Sequence, residues 1–168
     1  MQTPQSPHHD RWRATAHRRL SRLLESARRL PVDDSSRILF LSDCHRGDGG
    51  PTDDLWPNRR LYLGVLEHFF QAGFTYIEVG DGDELWKNRQ LAPIRQAHRP
   101  VYDLLHEFHQ HNRLHLIMGN HDYAGLSQRT IAKESIPARK ALVLQHRETG
   151  LEMLVAHGHQ VDFEHDPG

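Results

Sequence analysis

The run FTYIEVGD, residues 74–81, is a short apolar segment that ends in a glycine and a carboxylate, so it reads as a strand running into polar residues. Two further runs share the design: RILFLSD at 37–43 and RLHLIMGNHD at 113–122. Between the first two, residues 59–72 place Leu61, Leu63, Val65, Leu66, Phe69 and Phe70 mostly at helical spacing, and Gly73 stops the helix. Residues 94–111 form a second helical stretch, broken or kinked at Pro100. Strand, helix, strand, helix, strand predicts an α/β fold with a largely parallel core. In such a sheet the C-terminal ends of the strands share one edge, so the polar clusters behind the three runs converge there.

Downstream, residues 124–140 read as helix or loop. ALVLQHRETGLEMLVAHGH, residues 141–159, reads as a hairpin turning at 147–150. Upstream, residues 1–9 form a polar, proline-containing lead-in without fixed structure. Residues 10–30 then align Trp12, Ala16, Leu20, Leu23, Leu24, Ala27 and Leu30 on one helical stripe, and Pro31 ends that helix. Its other face carries Arg11, Arg13, Arg18, Arg19, Arg22, Arg28 and Arg29; it reads as the solvated side of a docking helix, with phosphates, an anionic membrane or a transit-import receptor as the alternative partners. The division is a leading segment, 1–35, and a domain, 36–168.

At 168 residues with 37% hydrophobic content the chain can bury a modest single core. The 21 basic residues nearly balance 22 acidic ones, so the net charge of −1 gives no global pull toward nucleic acid or anionic lipid. Fifteen histidines raise the expectation of metal chemistry, because neutral imidazole is the commonest side-chain metal ligand. The single Cys44 excludes an intramolecular disulfide and a multi-cysteine zinc site, and it fits a reducing compartment. No apolar run approaches the roughly 20 residues of a membrane span. With no apolar signal stretch at the start, the cytoplasm is the expected location.

Four strand ends carry chemistry: SDCH at 42–45, GDGDE at 80–84, GNHD at 119–122 and HGH at 157–159. Each alone is weak, and GNHD can be a turn with an Asx cap. Together they bring carboxylate, amide oxygen and imidazole to one edge, a donor mixture that suits Mn, Fe, Zn or similar ions.

The order DxH, GD, GNHD, His resembles the calcineurin-like metallophosphoesterases over residues 37–162. GDGDELW at 80–86 and HGH at 157–159 look like bacterial branches akin to the UDP-diacylglucosamine pyrophosphatases. The resemblance implies an α/β/β/α sandwich, here with an added N-terminal amphipathic helix. It makes Asp43 and His45 ligands of one divalent ion, Asp81 the bridging carboxylate, and Asn120 and His157 ligands of a second ion. His121 would sit beside the phosphate as proton donor or charge stabiliser, with the acid at Glu84 holding its ring. The implied activity is hydrolysis of a small-molecule or protein phosphoester, or of a pyrophosphate, by a metal-bridged hydroxide. Two ions about 3.5–4 Å apart lower the pKa of a bridging water and stabilise entering and leaving oxygens. Gly80, lacking a side chain, leaves room beside that bridging carboxylate.

One family element is missing. No GHxH pair follows, so the chain reads as truncated, each ion keeps three protein ligands instead of four, and His159 and His165 are the candidates to substitute. A degenerate fold that binds metal, nucleotide or a protein partner without turnover is the alternative. His106, His109, His111 and His115 read as surface histidines, and Cys44 as a small filler pointing away from its neighbours. Trp56 and Trp86 either wall a substrate pocket or pack.

Overall fold

A computed structural model describes residues 7–123 and 136–161. The predicted α/β alternation is present. Strands β2 (Ile38–Leu41), β3 (Thr75–Val79), β4 (Leu114–Ile117) and β5 (Ala138–Arg139) form a parallel sheet in the order β2-β3-β4-β5. Helices α2 (Arg59–Gln71) and α4 (Arg99–Gln110) cover one face of it. The period of two decides what each strand residue meets. In β3, Tyr76 joins the helix-side core with Leu66, Leu105 and Phe108, whereas Ile77 joins a second core with Ile117, Leu142 and Leu144.

That second core lies between two sheets. The other sheet has the order β1-β6-β7, with β1 (Arg28–Val32) parallel to β6 (Leu142–His146), and β6 antiparallel to β7 (Glu152–Val155). The hairpin expectation for 141–159 is met. Strand β5 fills the end of the 124–140 segment, whose residues 124–135 lie outside the described residues.

Three local expectations are corrected. Helix α1 spans Pro7–Ser26, so it takes in residues 7–9 of the supposed lead-in and stops before Arg28 instead of running to Leu30. Residues 28–32 are a strand because alternate residues Leu30 and Val32 pack into the inter-sheet core, and Pro31 is tolerated because β1 is an edge strand. The leading segment thereby contributes a strand to the second sheet. Within α2, Leu61 is exposed, and Tyr62 takes the buried position beside Leu66. The predicted break near Pro100 appears as a joint at His98 between α3 (Leu91–Ala97) and α4, with proline in the first turn of α4, where its missing N–H costs nothing.

Among the described side chains of α1, Ala16 and Leu23 are buried, and Arg19 donates to the Gln160 carbonyl at 3.2 Å. Among the described residues no helix is long and apolar enough to cross a membrane.

Candidate metal centre

The C-terminal ends of β2, β3 and β4 share one edge, as parallel topology requires, and the segment after β7, from the other sheet, reaches it through His157. Residues 43–46 run beside 80–84. Asp43 N donates to Gly80 O at 3.1 Å, His45 N to Asp81 O at 2.9 Å, Arg46 N to Gly82 O at 3.0 Å and Glu84 N to Arg46 O at 2.9 Å. This lacing holds Asp43, His45 and Asp81 at φ of 54°, 47° and 52°. Left-handed backbone is uncommon for non-glycine residues and is concentrated at functional sites. Three of the four such residues among those described are expected ligands.

The side chains turn toward one another. Asp81 Oδ2 lies 3.2 Å from His157 Nε2 and 3.9 Å from His45 Nε2, and Asp43 Oδ1 lies 4.0 Å from His45 Nε2. Two sets of three ligand atoms lie within 4.8 Å of one another: His45, Asp81 and His121, and Asp43, Asp81 and His157. Asp81 belongs to both sets, the position expected of a bridging carboxylate. His121 stands in the first set, although only a substrate-side role was expected of it. Asn120 is half-buried on the same turn. His159 has its ring 5.5 Å from that of His157, and His165 lies outside the described residues.

Asp81 and His157 hold each other in their charged forms. His157 Nδ1 lies 2.9 Å from the Val79 carbonyl, which can only accept, so Nδ1 carries a proton and Nε2 faces the Asp81 carboxylate. The Asp81 hydrogen bond pushes the His157 imidazole up to about 9, against the effect of burial. Burial disfavours charge on Asp81, but the His157 bond and the His121 N–H, 2.8 Å from Oδ1, hold its carboxyl below the usual range. A third set, His45, Asp54 and Glu84, is closed by the chain itself, since Lys87 Nζ lies 3.3 Å from Asp54 and 3.4 Å from Glu84.

Two glycines shape the cluster. Gly80 sits at φ 79°, and a Cβ there would strike the His157 ring. The room predicted at Gly80 is thus filled by a ligand's imidazole. A Cβ at Gly119 would strike Asp81.

Behind the cluster lies a network that sequence reasoning missed. Arg46, 2% exposed, forms a two-point bridge to Glu78 at 2.7 Å on both contacts, and donates to Asp83 at 2.7 Å and Tyr62 at 3.2 Å. Tyr76 donates to Glu78 at 2.8 Å, and Tyr102 to Asp83 at 2.6 Å. The available signal was a glutamate between Ile77 and Val79, inside the strand 75–79. Asp122 was also missed as more than a turn cap: its carboxylate accepts the backbone N–H of Asp81, Asp83 and Gly119 at 2.8–2.9 Å, tying two ligand loops together. Burial, with the nearby Asp83 charge, pushes the Asp122 carboxyl up to about 7. A cavity of about 60 Å³ adjoins this network; Arg46, Tyr102, Asp122 and Met118 line it, and none of Asp43, His45, Asp81 or His157 does.

The remaining candidates separate clearly. Cys44 is buried in the helix-side core, and burial with the Glu78 charge pushes its thiol up to about 11, as befits a filler. Trp86 stacks on His121 at 4.0 Å, at the rim of the site, whereas Trp56 packs edge-on against His98 at 5.8 Å. Asp53 and His98, 2.6 Å apart and buried, anchor the 47–58 loop, and Asp53 also accepts Gly49 N at 2.9 Å. Asp48 caps its own loop at Gly50 N. Among the described residues, no set able to hold a metal contains His106, His109, His111 or His115.

No family model, curated protein or solved structure matches this chain.

Proposed function

We propose that this chain is a metal-dependent hydrolase of phosphoester or pyrophosphate bonds, with Asp43, His45, Asp81, Asn120 and His157 as the holders of two divalent ions. The observation that carries the reading is the pair of ligand sets sharing Asp81, built on strained backbone at the open edge of a parallel sheet. Carboxylate oxygens and imidazole nitrogens in that ratio suit Mn, Fe or Zn, so the donor chemistry fits the implied ions. The two sheets sharing a core, with α2 and α4 outside the first of them, supply three of the four layers of an α/β/β/α arrangement, and α1 is an addition ahead of it.

When bound, the ions supply Lewis acidity at phosphorus and bring the pKa of water down to about 7. The chain's own residues do the rest. Asp81 is held by the His121 N–H at Oδ1, so its carboxylate does not have to be ordered when substrate arrives. His121, braced by Glu84 at Nδ1 and by Trp86 on a face, takes up a proton at Nε2 and passes it to the leaving oxygen. The half-exposed indole of Trp86 forms the rim over that ring.

The test is hydrolysis of a chromogenic phosphomonoester and a phosphodiester by purified protein with added Mn²⁺. Metal-dependent turnover of either supports the proposal. Metal uptake without turnover on any phosphoester or pyrophosphate moves the reading to a non-catalytic binding module, and absence of both metal and turnover overturns it.

A further inference from the structure

Glu84 is the most completely buried carboxylate at the site, with 0% exposure, and it faces two rings at once. Its Oε2 lies 3.1 Å from His45 Nδ1, and both its oxygens lie 3.0 Å from His121 Nδ1. The rings meet edge to face, centroids 4.6 Å apart at 89°. Lys87 supplies the remaining contacts, its backbone N–H at 3.2 Å and its ammonium at 3.4 Å.

An ionised carboxylate only accepts, and has about four lone-pair sites. The two Nδ1 atoms, the Lys87 N–H and the ammonium fill them only if each Nδ1 is a donor. We propose that Glu84 is one positioning residue for two rings: it fixes His45 and His121 together in the Nδ1–H form, so that both turn Nε2 toward the Asp81 cluster. Among the described residues no other group contacts both Nδ1 atoms, and the T-shaped packing fixes ring planes but leaves the proton's place open. The expected role of Glu84 covered His121 alone.

Resting on the metal reading, the consequence is a split between two variants. Loss of His121 removes the proton donor and leaves His45 held. Loss of the Glu84 charge loosens the metal ligand and the donor together. A ligand's carboxylate partner is worth about 10- to 100-fold in metal affinity. Glu84→Gln keeps the shape, but its amide offers one acceptor atom and two donors, so it cannot serve both rings.

The experiment is ¹⁵N NMR of the histidine side chains of the full, metal-free chain, at a pH where these rings are neutral, assigned with His45→Gln and His121→Gln. The expected spectrum shows both rings protonated at Nδ1 in the parent and at least one switched in Glu84→Gln. A parent in which either ring carries its proton on Nε2 with a bare Nδ1 overturns the inference. In parallel, Mn²⁺ titration should show about 10- to 100-fold weaker binding for Glu84→Gln and near-parent binding for His121→Gln. Equal Mn²⁺ affinity in Glu84→Gln and parent also overturns it. If the parent binds no Mn²⁺, the metal reading fails, and the tautomers in the metal-free chain still decide the role of Glu84.

Discussion

His45 and Arg46 are neighbours in the chain, and Glu78 and Asp81 leave the same strand, yet they build opposite environments. On one side the Arg46 guanidinium neutralises Glu78 and Asp83, and three tyrosines complete the hydrogen bonding. On the other, Asp43 and Asp81 face imidazoles, with the Nε2 atoms of His45 and His157 turned toward them. The first cluster carries its own permanent cation and holds the loops. The second has carboxylates and imidazole nitrogens gathered round a place that favours a cation from outside. Strand alternation separates them, because Glu78 points to the helix side, while Asp81 lies beyond the strand end on left-handed backbone.

The comparison can be broken at several points. The largest effect is on turnover: His121→Ala should keep the metal and cut hydrolysis by about 10²- to 10⁴-fold, read from steady-state kinetics and metal content. Loss of both ions instead would make His121 a ligand, as its place in the first ligand set allows. Next, Arg46→Met leaves Glu78 buried without its cation and should cost about 3–5 kcal/mol in denaturant unfolding. A cost under about 1 kcal/mol would mean that this network does not hold the loops.

Asp43→Asn should behave in the opposite way. Asparagine tolerates φ near 54°, and the side chain is 58% exposed, so stability should stay within about 0.5 kcal/mol of the parent. Metal affinity should fall at least as far as the loss of a ligand's partner would cause, about 100-fold. Gly80→Ala strains a residue at φ 79° and pushes on His157, so about 1–2 kcal/mol of stability should go, with weakened metal binding. The smallest effect concerns pH. Burial disfavours charge on Glu78, and the Arg46 guanidinium outweighs it, so the carboxyl titrates below its ordinary 4.5 in the folded chain. Its contribution to stability is therefore fully present above pH 4.5 and lost as pH falls through the lower folded value. Acid unfolding of Glu78→Gln should lack that part of the slope.

Much of the fold was legible because it is local. The apolar runs at β2, β3 and β4, the stop at Gly73 and the break near Pro100 depend on neighbouring residues, and each expectation held in kind. Strand β1 was not legible, because five residues with a proline become a strand only through pairing with β6, far along the chain. At the site, Asp43, His45, Asp81, His121 and His157 were nameable from strand-end motifs; parallel topology brings the first four together, and the hairpin of the second sheet delivers His157. Arg46, Asp122 and the second ring on Glu84 were hidden, since a buried charge acquires its role only from a partner that folding supplies.

The central claim is that Asp81 is shared between two cation positions. Calorimetric titration of the metal-free chain with Mn²⁺, beside Asp81→Asn, tests it most directly. Two ions per parent chain, and neither bound tightly by Asp81→Asn, is the predicted result. A parent that binds no ion, or an Asp81→Asn chain that binds both as the parent does, would contradict it.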